Sequence, residues 1–164
     1  MRNNEVESKK KKIPNETLLP EVGRLIREGR TVTITVRGNS MNPFLVDGRD
    51  RITLGGFEPE ALQPGVAVLA RDTAGRIFFH RIVFRTGDTL TMQGDGNPEQ
   101  TEESSVDQVM GVLVEAIRKG KRYPAAGKVW KCYSYCWMRL KPLRKLLLAL
   151  FRRICRHNPS NQPE

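Results

Sequence analysis

The sequence predicts a mainly β domain with a short N-terminal helix and a basic amphipathic C-terminal helix, on three observations. Short alternating or continuous apolar runs recur between turn signals from residue 31 to residue 117. A single segment of helical period precedes them. After residue 123 the composition turns to leucine, aromatic and basic residues, with Glu164 as the sole acid from residue 116 onward.

In chain order, residues 1–14, with lysines at 9–12, predict a disordered leader. Leu18, Val22, Leu25 and Ile26 then follow helical spacing over 15–28, with Asn15 as N-cap and Gly29 just past the end. Pro20 and Gly23 work against that helix. "TVTITV" (31–36) alternates strictly, Val32, Ile34 and Val36 on one face and threonines on the other, as a half-buried strand does. "RITL" (51–54) and "VAVLA" (66–70) read as further strands. "RIFFHRIVFR" (76–85) and "TLTMQ" (89–93) make a hairpin around "TGD". "GDGNP" (94–98) is a loop, and "VMGVLVEAI" (109–117) fits a strand or a short helix.

A chain of 164 residues is one domain by size and long enough to bury a core. Its net charge of +10 is uneven: residues 1–115 hold 15 basic and 17 acidic side chains, residues 116–164 hold 13 basic and one acidic. The tail therefore carries the excess and points to an anionic partner. The polar N-terminus has no apolar stretch of a secretory signal, and no run of 18 apolar residues exists to span a membrane. Three cysteines (Cys132, Cys136, Cys155), all in the tail, do not form a disulfide framework and suit a reducing compartment. These features predict a cytoplasmic protein, peripheral at the inner face of the membrane.

Within 129–157, Cys136, Leu140, Leu143, Leu147, Leu150 and Ile154 recur every three or four residues. Lys141, Arg144, Lys145, Arg152, Arg153 and Arg156 cover much of the remainder, and Pro142 kinks or splits the helix. With Trp130, Tyr133, Tyr135 and Trp137 beside the stripe, this is the composition of an interfacial helix and predicts membrane-surface contact. The rival readings are a helix packed on the body or on a second copy, and, ranked lower, a nucleic-acid contact. Zinc at the tail cysteines lacks the short paired spacings such sites use, so no metal or cofactor is expected.

Only His80 and His157 titrate near neutrality, and His157 sits in the basic C-terminus. Alternation places His80 on one strand face with Phe78, Ile82 and Phe84, where it is either a satisfied half-buried residue or a general base kept neutral by desolvation. A serine nucleophile needs such a base. One serine is placed to use it: Ser40 of "GNSMNPFL" (38–45), directly after the alternating strand, where the plainer reading is a polar turn.

"GNSMNPFL" resembles the Gly-x-Ser-Met-x-Pro-x-Leu box of the signal-peptidase and LexA-like serine peptidases. "VDGRDRITL", "LQPGVAVL", "FFHRIV", "MQGDGN" and "VMGVLV" then resemble that superfamily's later segments, in its order, over about residues 30–123. Where many members place a lysine base, this chain has His80, and no lysine lies between Lys12 and Lys119. The resemblance is thus to the Ser/His subgroup, of endoplasmic-reticulum and archaeal type. It implies a LexA/signal-peptidase-like β-rich fold and a serine endopeptidase that cleaves a peptide precursor of signal- or leader-peptide type.

Carried onto this chain, the resemblance makes Ser40 the nucleophile, His80 the general base and Asp95 the residue that supports the imidazolium, with Glu102, Glu103 and Asp107 as competitors for that third role. Gly38, Asn39, Met41 and Pro43 are expected to bind substrate. Gly38 stands where many signal peptidases carry an oxyanion-binding serine. The implied organisation is a leader (1–14), a peptidase domain (15–123), and a linker with the basic tail (124–164), "PAAG" (124–127) offering a self-processing site. The alternatives are a LexA-like self-cleaving regulatory module that binds nucleic acid through its tail, and a non-catalytic membrane-surface scaffold.

Overall fold

The computed structural model describes residues 15–156, so the leader and His157 lie outside the described residues. The elements are α1 (Asn15–Arg27), β1 (Val32–Thr35), β2 (Arg51–Gly55), β3 (Ala67–Arg71), β4 (Ile77–Thr86), β5 (Thr89–Gln93), β6 (Glu102–Ser105), β7 (Val109–Arg118), β8 (Lys121–Pro124), α2 (Lys128–Arg139) and α3 (Arg144–Arg156). The strands form one antiparallel sheet in the order β1-β2-β7-β3-β4-β5-β6, with β8 pairing the second half of β7. The architecture is mainly β with short helices.

Period 2 divides this sheet between two cores. On β3, Ala67 and Leu69 join one cluster and Val68 and Ala70 the other. That explains the continuous apolar run there, since a strand covered on both faces has no polar side. The first core takes α1 through Val22 and Ile26 and the serine loop through Met41, Phe44 and Leu45. The second gathers Leu62, Ile82, Leu90, Met92 and Val109.

Helix α1 runs through Pro20. Gly23 serves its packing: a Cβ there would come within 2.5 Å of Met110 Cε, and a Cβ on Gly111 within 2.6 Å of Ile26 Cδ1. The two glycines let helix and strand approach closely. Residues 109–117, open between helix and strand by period, are β7, the central ribbon that holds β2 on one edge and β3 and β8 on the other.

Strands β6 and β8 were not expected. "EESS" and "KRYP" are four-residue strands without apolar alternation, each pairing with a single neighbour, so neither carries the period that marks a strand. Their presence moves the boundary expected at 124. Pro124 is the last residue of β8, and the Ala125 N–H donates to Val114 O at 2.8 Å. "PAAG" is thus held against the sheet rather than looped out as a linker.

The tail is split as Pro142 predicts, by a 3-10 turn over Lys141–Leu143. Helix α2 packs on the body, which answers the question of its partner. Trp130 belongs to the first core and meets the Phe44 ring edge-on, centroids 5.1 Å apart. Trp137 is buried too, Tyr133 is largely enclosed, and only Tyr135 of the four aromatics is exposed. Helix α3 differs: Arg144 and Leu148 face inward, while Leu146, Leu150 and Ile154, with Leu143 at the end of the turn before them, are exposed. No helix among the described residues is long and apolar enough to cross a membrane.

Candidate active site

Ser40 lies in the loop between β1 and β2, and that loop is closed by its own backbone. The Val36 N–H donates to Asp50 O and the Gly48 N–H to Val36 O, each at 2.9 Å. Gly38 turns the chain with φ +81°, a conformation costly for other residues, and its N–H donates to Asp47 Oδ1 at 2.9 Å. Beyond the serine, Met41, Phe44 and Leu45 sink into the first core and anchor the loop.

The loop after β5 meets this one with no space between. The Gly96 N–H donates to Ser40 O at 2.8 Å. A Cβ on Gly94 would stand 2.6 Å from Ser40 O, 3.2 Å from Ser40 Cβ and 3.1 Å from His80 Nε2. A Cβ on Gly96 would collide with Asn39 O. The two glycines of "GDGN" are therefore steric requirements. Ser40 and the Nε2 edge of His80 flank one point that a methyl group would fill. No hydrogen bond joins Ser40 Oγ to His80 Nε2 among the described residues.

His80 is buried on β4, its ring 4.9 Å from that of Phe78. Ile82 joins it in the apolar surround, whereas Phe84, expected there too, is 61% exposed. Across the ring, His80 Nδ1 lies 2.8 Å from Glu102 Oε2, and both side chains are buried. Register explains the meeting. Met92 pairs with Ile82 on one side and Glu102 on the other, so these side chains share a face, and His80, two residues from Ile82, shares it as well.

Asp95, expected to support His80, does not contact it. Arg81, next to His80 in β4, points to the opposite face and binds the Asp95 carboxylate through two hydrogen bonds of 2.8 and 2.7 Å. The Tyr133 hydroxyl donates to Asp95 Oδ2 at 2.9 Å, and Trp137 Nε1 donates to Asp95 O. Arg81 also donates to Gly65 O and Ser134 Oγ, and its guanidinium stands 5.2 Å from the Trp130 ring. Burial pulls the Arg81 guanidinium down, but the Asp95 carboxylate more than offsets this and holds it above the usual arginine range. Burial, then the same carboxylate, pushes the Tyr133 hydroxyl well above the ordinary phenol range. Asp95 thus ties the loop that touches Ser40 to helix α2. Sequence reasoning had Glu102 only as a competitor. The signal that favours it is parity, visible once β6 is recognised as a strand.

A cavity of about 180 Å³ opens beside Ser40 between α1, β1 and the start of β4, walled by Leu18, Leu19, Ile34, Val36 and Phe79. Of the four residues expected to bind substrate, Met41 lines it; Gly38, Asn39 and Pro43 do not. Gly38 and Asn39 are exposed, and Asn39 Oδ1 accepts a hydrogen bond from Asn42 Nδ2 at 3.2 Å. Strand β1 pairs with β2 alone, so its outer edge, next to the cavity, presents unpaired backbone groups.

No family model matches the chain, and no curated protein is significantly similar to it. The site is therefore read from its own geometry: a buried imidazole–carboxylate pair whose Nε2 edge approaches a serine that lines an apolar cavity beside a strand edge. Among the described residues no three His, Cys, Asp or Glu side chains cluster as metal ligands, and Cys132 and Cys136 are exposed on α2.

Proposed function

We propose that the protein is a serine endopeptidase of signal-peptidase/LexA type, with Ser40 as nucleophile, His80 as general base and Glu102, in place of Asp95, as the residue that orients the imidazole. The observation that carries this reading is the buried His80–Glu102 pair, whose free Nε2 faces Ser40 across Gly94. A carboxylate on Nδ1 fixes the proton there and leaves Nε2 as the base.

Ser40 Oγ attacks the scissile carbonyl carbon while its proton passes to His80 Nε2, and Glu102 stabilises the imidazolium. The oxyanion takes a hydrogen bond from the Ser40 N–H, which has no acceptor among the described residues. Collapse of the tetrahedral adduct breaks the C–N bond, and His80 returns the proton to the leaving amine. Water, deprotonated by the same imidazole, then hydrolyses the acyl-serine. The Ser40–His80 hydrogen bond forms as substrate closes the site, a tightening ordinary for apo enzymes.

The substrate is a peptide or protein precursor bound as an extended strand on the free edge of β1, with one small apolar side chain in the 180 Å³ cavity. The free Cys132 and Cys136 support the reading of a reducing, cytoplasmic setting for this work.

A peptide library cut by the wild-type protein and left intact by Ser40→Ala and His80→Ala is the expected result. Cleavage at equal rate by all three proteins would overturn the proposal.

A further inference from the structure

Helix α3 leaves most of its apolar surface uncovered. Arg144 and Leu148 set its rotation against the body, Arg144 donating to Trp137 O and Gln93 Oε1 at 2.8 Å each. With that rotation fixed, Leu143, Leu146, Leu150 and Ile154 project outward at 50, 69, 55 and 59% exposure. Their spacing of three and four residues makes them one stripe. Isolated exposed leucines need no explanation, but a continuous stripe marks a docking surface.

The surrounding charge selects the partner. Lys141 in the preceding turn and Lys145, Arg152 and Arg153 on α3 are exposed, and residues 116–156 contain no acidic side chain. Among the described residues, Lys145 alone of these four has an acidic partner, an exposed ion pair with Glu99. A second copy docking through this stripe would bring two such basic segments together, against Coulomb repulsion. Nucleic acid satisfies the basic residues and leaves the leucines in water. An anionic bilayer surface satisfies both, since lipid headgroups take the cations and the acyl boundary takes the leucines. A 13-residue helix is roughly 20 Å long, short of the ~30 Å hydrocarbon core, so α3 lies in the interface and does not span it.

We propose that α3, with the turn before it, is a membrane-surface anchor that binds anionic lipid through Leu143, Leu146, Leu150 and Ile154, with Arg152 and Arg153 at the headgroups. This narrows the contact from the whole tail to its last helix and the turn before it, because Trp130, Tyr133 and Trp137 of α2 are spent on the body.

The test is sedimentation of the full chain with sucrose-loaded vesicles, of pure phosphatidylcholine or of phosphatidylcholine with one-third phosphatidylglycerol. Wild-type protein partitions at least tenfold more strongly onto the anionic vesicles. Leu146→Ser with Leu150→Ser lowers that binding tenfold or more. Arg152→Gln with Arg153→Gln lowers it roughly tenfold and removes the preference for anionic lipid. All four side chains are exposed, and an unchanged melting temperature certifies the folded variants. Equal partitioning onto both vesicle types, or indifference to the leucine changes, overturns the proposal. So does a concentration-dependent dimer that the leucine changes abolish in the absence of vesicle binding, or retention on duplex DNA that only the arginine changes relieve. The readout is sedimentation, so Ser40→Ala protein behaves as wild type and a negative result leaves the peptidase reading standing.

Discussion

Glu102 Oε2 lies 2.8 Å from His80 Nδ1, across the width of β5, with both side chains buried. Asp95, in the loop beside Ser40, spends both carboxylate oxygens on Arg81 instead. The two acids therefore do different jobs, and substitution separates them. On the proposed mechanism, Glu102→Gln retains shape and removes the charge that would support an imidazolium, so turnover is expected to fall by roughly two to four powers of ten with little change in stability. Asp95→Asn leaves the Arg81 cation buried without its counter-charge and costs about 3–5 kcal/mol of stability. Peptide cleavage rates and urea unfolding, measured on both variants, check the assignment; equal rate losses at normal stability would reverse it.

Gly94 and Gly38 flank the same serine and differ in what an added methyl group meets. At Gly94 it lies 2.6 Å from Ser40 O and 3.1 Å from His80 Nε2. Gly94→Ala therefore forces the two loops apart and lowers kcat by roughly a hundredfold or more, because sub-ångström placement of nucleophile and base carries much of the rate. At Gly38 the methyl meets open space, and only the φ of +81° resists it. Gly38→Ala costs about 1–2 kcal/mol of stability and leaves most activity in place. Steady-state kinetics on the pair reads the contrast directly.

How much of this was legible in the residues follows from the same contrast. Strands β1 to β5 announce themselves because each has an apolar face or an apolar run, and the hairpin turn falls at Gly87, where φ is +58°. Ser40 and His80 were legible as candidates through the resemblance of "GNSMNPFL" and "FFHRIV" to a known box and strand, and the structure brings the two side chains together around Gly94. Glu102 was not singled out, since "EESS" shows no period and its meeting with His80 depends on the register of three paired strands. The Asp95 expectation failed for a related reason. The resemblance of "GDGN" assigned its acid to His80, but the adjacent residue on the opposite face of β4 is an arginine, and this buried cation takes the carboxylate. The aromatic residues of α2 misled in the same manner: a tryptophan at helical spacing carries no mark that tells a core contact from a lipid contact.

Trp130 decides whether the tail is an appendage. It packs with Phe44 and Tyr133 in the first core, and the Arg81 guanidinium stands over its ring. Trp130→Ala is expected to destabilise the whole domain by about 3–5 kcal/mol, as for truncation of a large aromatic in a packed interior. Thermal or urea unfolding should show a single transition shifted downward. A separate early transition for the tail, with the body unchanged, would contradict the coupling.

Tyr133 gives the domain a specific alkaline weakness. Its hydroxyl donates to Asp95 Oδ2 and is held well above the ordinary phenol range, first by burial and then by that carboxylate. The unfolded chain ionises its tyrosines near pH ~10. Because the folded pKa is the higher one, the contribution is complete below that pH and is lost as pH rises through and beyond it, at about 1.4 kcal/mol per pH unit. Tyr133→Phe has no proton to lose and is free of this slope. It forfeits a hydrogen bond to a charged acceptor, about 1.5–3 kcal/mol at neutral pH. The wild-type protein is thus the more stable at pH 7, and the advantage shrinks as pH rises above about 10. All other titrating groups are shared by the two proteins, so the difference between their unfolding free energies isolates Tyr133. A difference that stays constant from pH 7 to 11 would mean that the hydroxyl ionises as freely in the folded protein as in the unfolded chain.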